Sequence, residues 1–299
     1  MSMFNQATMP CPVCGTPRTF DLVASVNADR RPDFRAAIMD GSFQREKCDS
    51  CGSTFRTQPL MTYLDMARGQ WILVQPGADV RQWKALQEKA RSVFAVAYGP
   101  DAPPEAQEMG RDMKARVVFG WGALSEKLLC SEHGLDDVNL ELLKMAVLKE
   151  VPDPPLKDQN DLRLVGIEGD ELVLAWMSYE DEHVSSSLRV PRELYDEIAA
   201  DNDAWKPLRD ELSADPFVDF NRLIVADPDE ETEGETGTGP LAHISETAEP
   251  GDQDDESETE DDTPKAAKKP GAKKQKSSAK PKKKSPAPKA ASAKKKKKK

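Results

Sequence analysis

The chain is poor in the residues that most enzymes work with. Only three histidines, His133, His183 and His243, are scattered through its 299 residues. It has neither a glycine-rich phosphate loop nor a nucleophile motif. No apolar run approaches the roughly 18 residues that a membrane-spanning helix needs, so no membrane partner is expected. The first ten residues carry no basic stretch and no apolar core, and no secretory signal is expected from them. Cysteine is sparse and odd in number: Cys11, Cys14, Cys48, Cys51 and Cys130. An odd count in short pairs suits a reducing, cytoplasmic setting better than a disulfide-stapled secreted domain.

What is abundant is charge, and it is segregated. Residues 227–262 hold sixteen Asp or Glu and no Lys or Arg, whereas residues 263–299 hold seventeen Lys and no acid. Removing both blocks from the 42 basic and 53 acidic side chains of the whole chain leaves 25 and 37 in residues 1–226. The overall charge of −11 therefore hides a strongly basic end. After residue 227, Leu241 and Ile244 are the only large apolar side chains. Burial there cannot offset roughly 1–2 kcal/mol of backbone entropy per residue, so a long disordered C-terminal tail is expected.

Four of the cysteines fall in two similar short turns, Cys11-Pro12-Val13-Cys14-Gly15 and Cys48-Asp49-Ser50-Cys51-Gly52. Each turn carries two thiols three positions apart, followed by a glycine where the backbone must swing away. Two such knuckles can enclose a Zn²⁺ as a closed tetrahedron with no position left for a substrate, so the expected role of the ion is structural. Iron held by the same four thiolates is the competing metal. A redox dithiol is a further alternative. It would need a helix N-terminus to activate its first thiol, yet Cys14 is followed by Gly15-Thr16-Pro17. Cys130 and His133 share a helical face but read as a buried thiol and a helix-end histidine rather than ligands. His183 lies in an acidic stretch that reads as a solvated loop.

The periodicity predicts an α+β protein. Strands are expected over residues 19–26, 43–47, 53–57 and 71–74, with a short helix over 32–39. Helices are then expected over 80–97, 104–119, 123–133 and from a cap at Asp136 or Asp137 onward. Pro152-Asp153-Pro154-Pro155 is a stiff break. Beyond it come a hairpin over 162–177, a third strand near 188–190, helices over 192–200 and 204–212, and an apolar segment at 217–225. The expected order is a small zinc-ribbon-like β unit followed by helices (residues 10–150), a second hairpin and helix unit (156–226), the acidic segment (227–262) and the Lys-rich tail (263–299).

The span from Cys11 to about Val74 resembles the CpXC-domain family. The resemblance rests on Cys11-Pro12-Val13-Cys14-Gly15, on Ser25-Val26-Asn27-Ala28-Asp29 before Pro32, and on Asp40-Gly41-Ser42-Phe43 leading to Cys48-Asp49-Ser50-Cys51-Gly52. Pro59-Leu60-Met61-Thr62-Tyr63-Leu64-Asp65 also fits the family pattern. The second knuckle departs by carrying Asp49 where a proline is typical. The resemblance implies a zinc-ribbon-like module with Cys11, Cys14, Cys48 and Cys51 as ligands, and it carries over no catalytic residue.

The tail sets the partner expectations. Seventeen unopposed ammonium groups can displace counterions from a phosphate backbone. With neither aromatics nor Arg among them, they offer no stacking and no bidentate base contact. The sequence thus predicts a zinc-stabilised binding or scaffolding protein, not an enzyme. Its tail would make nonspecific contact with nucleic acid or an anionic partner, giving a nucleoid-associated placement. The rival readings are a protein-interaction module with a purely solubilising tail and an enzyme of unknown class. Six cations at Arg30, Arg31, Arg35, Arg45, Lys47 and Arg56 keep nucleic-acid contact open for the knuckle region as well.

Overall fold

Five strands within the first 120 residues assemble into one mixed sheet. The computed structural model describes residues 2–151, 160–179 and 181–224. The chain begins with β1 (Met3–Pro10), which forms a hairpin with β2 (Pro17–Asn27), and continues into helix α1 (Pro32–Met39). A small hairpin of β3 (Arg45–Lys47) and β4 (Thr54–Arg56) precedes β5 (Met61–Asp65) and β6 (Gln70–Gln75). Helices α2 (Trp83–Tyr98) and α3 (Pro104–Arg111) then lead to β7 (Lys114–Phe119). The sheet order is β1-β2-β5-β6-β7, with β2/β5 and β6/β7 parallel and the other pairs antiparallel.

Strand β6 shows why the sheet lies at the centre. All six of its residues are buried, which the period-two geometry of a strand allows only when both faces are covered. Ile72 and Val74 join Val26, Tyr63 and Val118 under α1 and α4 (Gly120–Glu132). Trp71 and Leu73 join Val117, Phe119 and Ala90 of α2 on the opposite face. Burying such side chains is worth roughly 1.5–3 kcal/mol each.

Three strands were not legible from the pattern: β1, β5 and β7. β1 has no apolar alternation of its own and is held by its ladder to β2. Residues 114–119, expected as the end of a helix running from 104, form β7 instead. The helix stops at Arg111, and Val117, Val118 and Phe119 suit the buried pleat beside β6.

The later elements are those expected. Asp136 caps α5 (Asp137–Glu150) by accepting from the N–H groups of Val138 and Asn139. Strands β8 (Asn160–Glu168), β9 (Glu171–Ser178) and β10 (Val184–Pro191) form an antiparallel sheet, followed by α6 (Arg192–Ala200) and α7 (Lys206–Ser213). These elements share a core with α5: Leu140, Leu142 and Leu143 pack with Leu162, Leu164, Leu174, Trp176 and Phe220. The expected boundary at 152–155 and both charged tail segments lie outside the described residues.

Between α4, α5, β8 and the segment before residue 221 lies a buried ionic network. Lys144 Nζ donates to Glu126 Oε1 at 2.8 Å and to Glu141 Oε1 at 2.9 Å. Arg163 reaches Glu126 at 3.2 Å and Asp219 at 2.9 Å. Lys127 sits 3.2 Å from Asp137 and donates to the Val218 carbonyl at 2.9 Å. Such a network adds little net stability, because desolvation opposes the Coulomb gain. Removing one member still costs about 3–5 kcal/mol.

Candidate metal centre

The two knuckles are the loops of two hairpins and fold alike. Cys11–Cys14 joins β1 to β2, and Cys48–Cys51 joins β3 to β4. In the first, the Gly15 N–H donates to the Cys11 carbonyl at 2.8 Å and the Cys11 N–H to the Thr16 carbonyl at 3.0 Å. In the second, Gly52 donates to Cys48 at 2.7 Å and Cys48 to Ser53 at 2.9 Å. Gly15 and Gly52 take φ of +71° and +76°, the left-handed turn that the sequence pattern requires of them.

The loops face each other. Cys11 Sγ lies 3.9 Å from Cys51 Sγ, and Cys14 Sγ lies 3.8 Å from Cys48 Sγ. All four sulfurs fall within 4.8 Å of one another, and all are free thiols. Cys11 and Cys48 are buried, whereas Cys14 and Cys51 are exposed. Arg18, just after the first knuckle, forms an ion pair with Asp49 in the second. That gives the residue standing in place of a proline a visible role.

The local field favours thiolates at two positions. The Cys51 and Ser50 N–H groups aim at Cys48 and lower it to about 6, with the Cys51 amide contributing most. The Thr16 hydroxyl, 3.4 Å from Cys14 Sγ, pulls Cys14 below the ordinary thiol value. Cys11 moves the other way. The Cys14 amide lowers it, but burial and the neighbouring thiols outweigh that.

The donor set fits a tetrahedral ion. A Zn–S bond of about 2.3 Å implies sulfur–sulfur edges of about 3.8 Å, close to the two cross-knuckle distances. Among the described residues these four cysteines are the one His, Cys, Asp and Glu cluster with such spacing. Cys130 is buried in α4 with its thiol pushed well above the ordinary value by burial, and among the described residues no metal-spaced group includes it or His133. His183 donates its backbone N–H to the Asp181 carboxylate between β9 and β10. His243 lies outside the described residues.

Residues 9–144 match the CpXC protein family. The match runs past Val74 through α2, α3, β7 and α4 into α5, further than the motif-bearing segment alone. No curated protein matches the chain, and no solved structure does. The matched region therefore takes in β2, β5, β6 and β7 with only the last two residues of β1, and it ends inside the core that α5 shares with β8–β10.

Beside the knuckles of the CpXC region lies a cavity of about 590 Å³, which the sequence did not signal. Met9, Pro12, Phe55, Arg56, Trp121 and Glu182 are among its lining residues. The Arg56 guanidinium stacks on Trp121 at 4.1 Å and pairs with Glu182 at 2.7 Å. Trp121 in turn donates its indole N–H to the Thr57 carbonyl at 2.8 Å. Arg56 is thus neutralised, as are Arg31 by Asp33 and Arg35 by Glu132 and Asp65. Half of the six cations grouped in the sequence are therefore engaged within the fold. No described helix is long and apolar enough to cross a membrane.

Proposed function

We propose that Cys11, Cys14, Cys48 and Cys51 bind a structural Zn²⁺ and that the protein is a non-enzymatic binding or scaffolding module. The cross-knuckle sulfur distances carry the first part, because 3.9 and 3.8 Å match the edges of a zinc tetrathiolate. When bound, the ion supplies charge neutralisation and a crosslink between two hairpins distant in sequence. All four positions of a tetrahedron are then filled by protein, which leaves none for a substrate. Hairpins with strands as short as β3 and β4, three residues each, bury little on their own.

Metal analysis of the purified chain is the first test, with one zinc per chain as the expected result. Cys48→Ser should lose the ion and lower the thermal midpoint by more than 10 °C, since apparent zinc affinities of about 10–16 kcal/mol rival a whole domain's stability. An unchanged melting curve with chelator and in the variant counts against the site.

The partner reading rests on charge segregation in the sequence. The Lys-rich residues 263–299 suit nonspecific contact with nucleic acid or another polyanion, and the acidic residues 227–262 suit an intramolecular competitor. Binding of a labelled duplex should weaken steeply between two salt concentrations, with log K changing by about 0.9 per phosphate neutralised. Deleting residues 263–299 should abolish it. Equal binding without those residues would leave the tail a solubilising role only.

A further inference from the structure

We infer that the thiolate cluster is also an oxidant-responsive site. A hydroperoxide such as hydrogen peroxide would convert its four thiols into two disulfides that cross between the knuckles, Cys11–Cys51 and Cys14–Cys48, with release of the metal. This rests on the zinc reading above.

The pairing follows from how exposure is distributed among four sulfurs that all lie within 4.8 Å of one another. Each knuckle presents one exposed sulfur, Cys14 or Cys51, and one buried sulfur, Cys11 or Cys48. Each exposed sulfur lies beside the buried sulfur of the other knuckle, at 3.8 Å for Cys14 and Cys48 and 3.9 Å for Cys51 and Cys11. Solvent-borne oxidant meets the exposed member first, and a resolving thiol from the opposite loop is already in contact. Closing either pair to a bond of about 2.05 Å moves the sulfurs together by less than 2 Å. The Arg18–Asp49 ion pair is a second contact between the two loops besides the sulfurs. The remaining thiol, Cys130, is buried within α4 and takes no part.

The chemistry balances. The Cys14 thiolate attacks one peroxide oxygen, the O–O bond breaks, and Cys14 becomes a sulfenic acid as hydroxide departs. The Cys48 thiolate then attacks the Cys14 sulfur, forming the S–S bond and expelling a second hydroxide. Cys51 and Cys11 repeat the sequence. Two peroxides accept four electrons from four thiolates, four protons are consumed, four waters form, and one divalent ion is freed. Crossed bonds tie residue 11 to 51 and residue 14 to 48, so they keep the two hairpins clamped. Bonds within a knuckle would not.

The test uses the full-length zinc-loaded protein. Its zinc content is measured first, and peroxide is then titrated in the presence of a colorimetric zinc chelator. Free thiols are counted, and bridged peptides are mapped by mass spectrometry without reduction, with fragmentation between the two cysteines of each knuckle. The expected result is one zinc released per two peroxides, a fall from five free thiols to one, and Cys11–Cys51 and Cys14–Cys48 bridges that dithiothreitol with zinc reverses. Bridges within knuckles, sulfinic acids without bridges, or zinc retained under excess peroxide overturn the inference and leave the zinc reading standing. Protein that is isolated reduced and metal-free overturns both.

Discussion

Glu141 shows what a single side chain can do to the stability of this protein. It is fully buried, with Lys144 and the more distant Lys127 on one oxygen and the Phe220 N–H on the other. Its surroundings also hold Glu126 and Asp219, and across the network Glu126, Asp137, Glu141, Asp161 and Asp219 outnumber Arg116, Lys127, Lys144 and Arg163. Burial pushes Glu141 up to about 7 against the pull of the two lysines, with Asp219 and Glu126 adding to the rise. Between the ordinary glutamate value of 4.5 and about 7, the folded chain holds a proton that the unfolded chain has lost. Glu141 therefore withdraws stability as pH rises through that window, by about 1–3 kcal/mol. Asp137, Glu126 and Asp219 are held below the ordinary range and act oppositely, losing their contribution on acidification. We expect Glu141→Gln to remove this one declining contribution, so that the variant gains stability relative to the parent as pH rises from about 5 to 7. Urea denaturation at several pH values checks it, and a variant with the same slope as the parent would show that the proton sits elsewhere.

At the scale of elements, the turn between β9 and β10 locks the second sheet onto the first part of the chain. Gly77 opens a 3-10 turn at residues 77–82, immediately after β6. A Cβ there would lie 2.5 Å from the Tyr179 carbonyl oxygen and 2.8 Å from its ring. Three residues on, Glu182 pairs with Arg56, so the same turn also grips the knuckle-bearing hairpin. Gly77→Ala must push the turn outward and should cost about 1–3 kcal/mol, read as a lower urea midpoint at unchanged slope. An unshifted midpoint would mean that the close approach is not part of the native packing. None of this was legible beforehand, because a glycine tolerated for close approach looks like any loop glycine until its neighbour, a hundred residues away, is known.

For the molecule as a whole, the question is whether the CpXC region stands alone. Helix α5 is buried on several sides, and Leu140, Leu142 and Leu143 contact residues from beyond position 160. Phe217 returns beneath the first sheet, 5.2 Å from Phe119 and 5.6 Å from Trp83, and the Val117 N–H donates to the Pro216 carbonyl at 3.0 Å. Glu126 would also lose Arg163, and Glu141 would lose the Phe220 N–H. A fragment of residues 1–151 should therefore lack a cooperative thermal transition even when loaded with zinc. Its amide spectrum by NMR is the check, and sharp, dispersed resonances would establish the region as an independent domain.

The sequence by itself determined what is local. Two thiols three positions apart before a glycine specify a knuckle, because the turn is made within five residues. Helix caps and the β8–β9 hairpin were legible for the same reason. The segregation of charge beyond residue 227 was visible as composition alone. Only the tertiary structure decided what depends on distant neighbours: that residues 114–119 are a strand, that the sulfurs of one knuckle meet those of the other in crossed pairs, that Arg56 lies on Trp121, and that an ionic network sits inside the core. Each of these depends on the energy of groups brought together from far apart in the chain, and no window of sequence contains both partners.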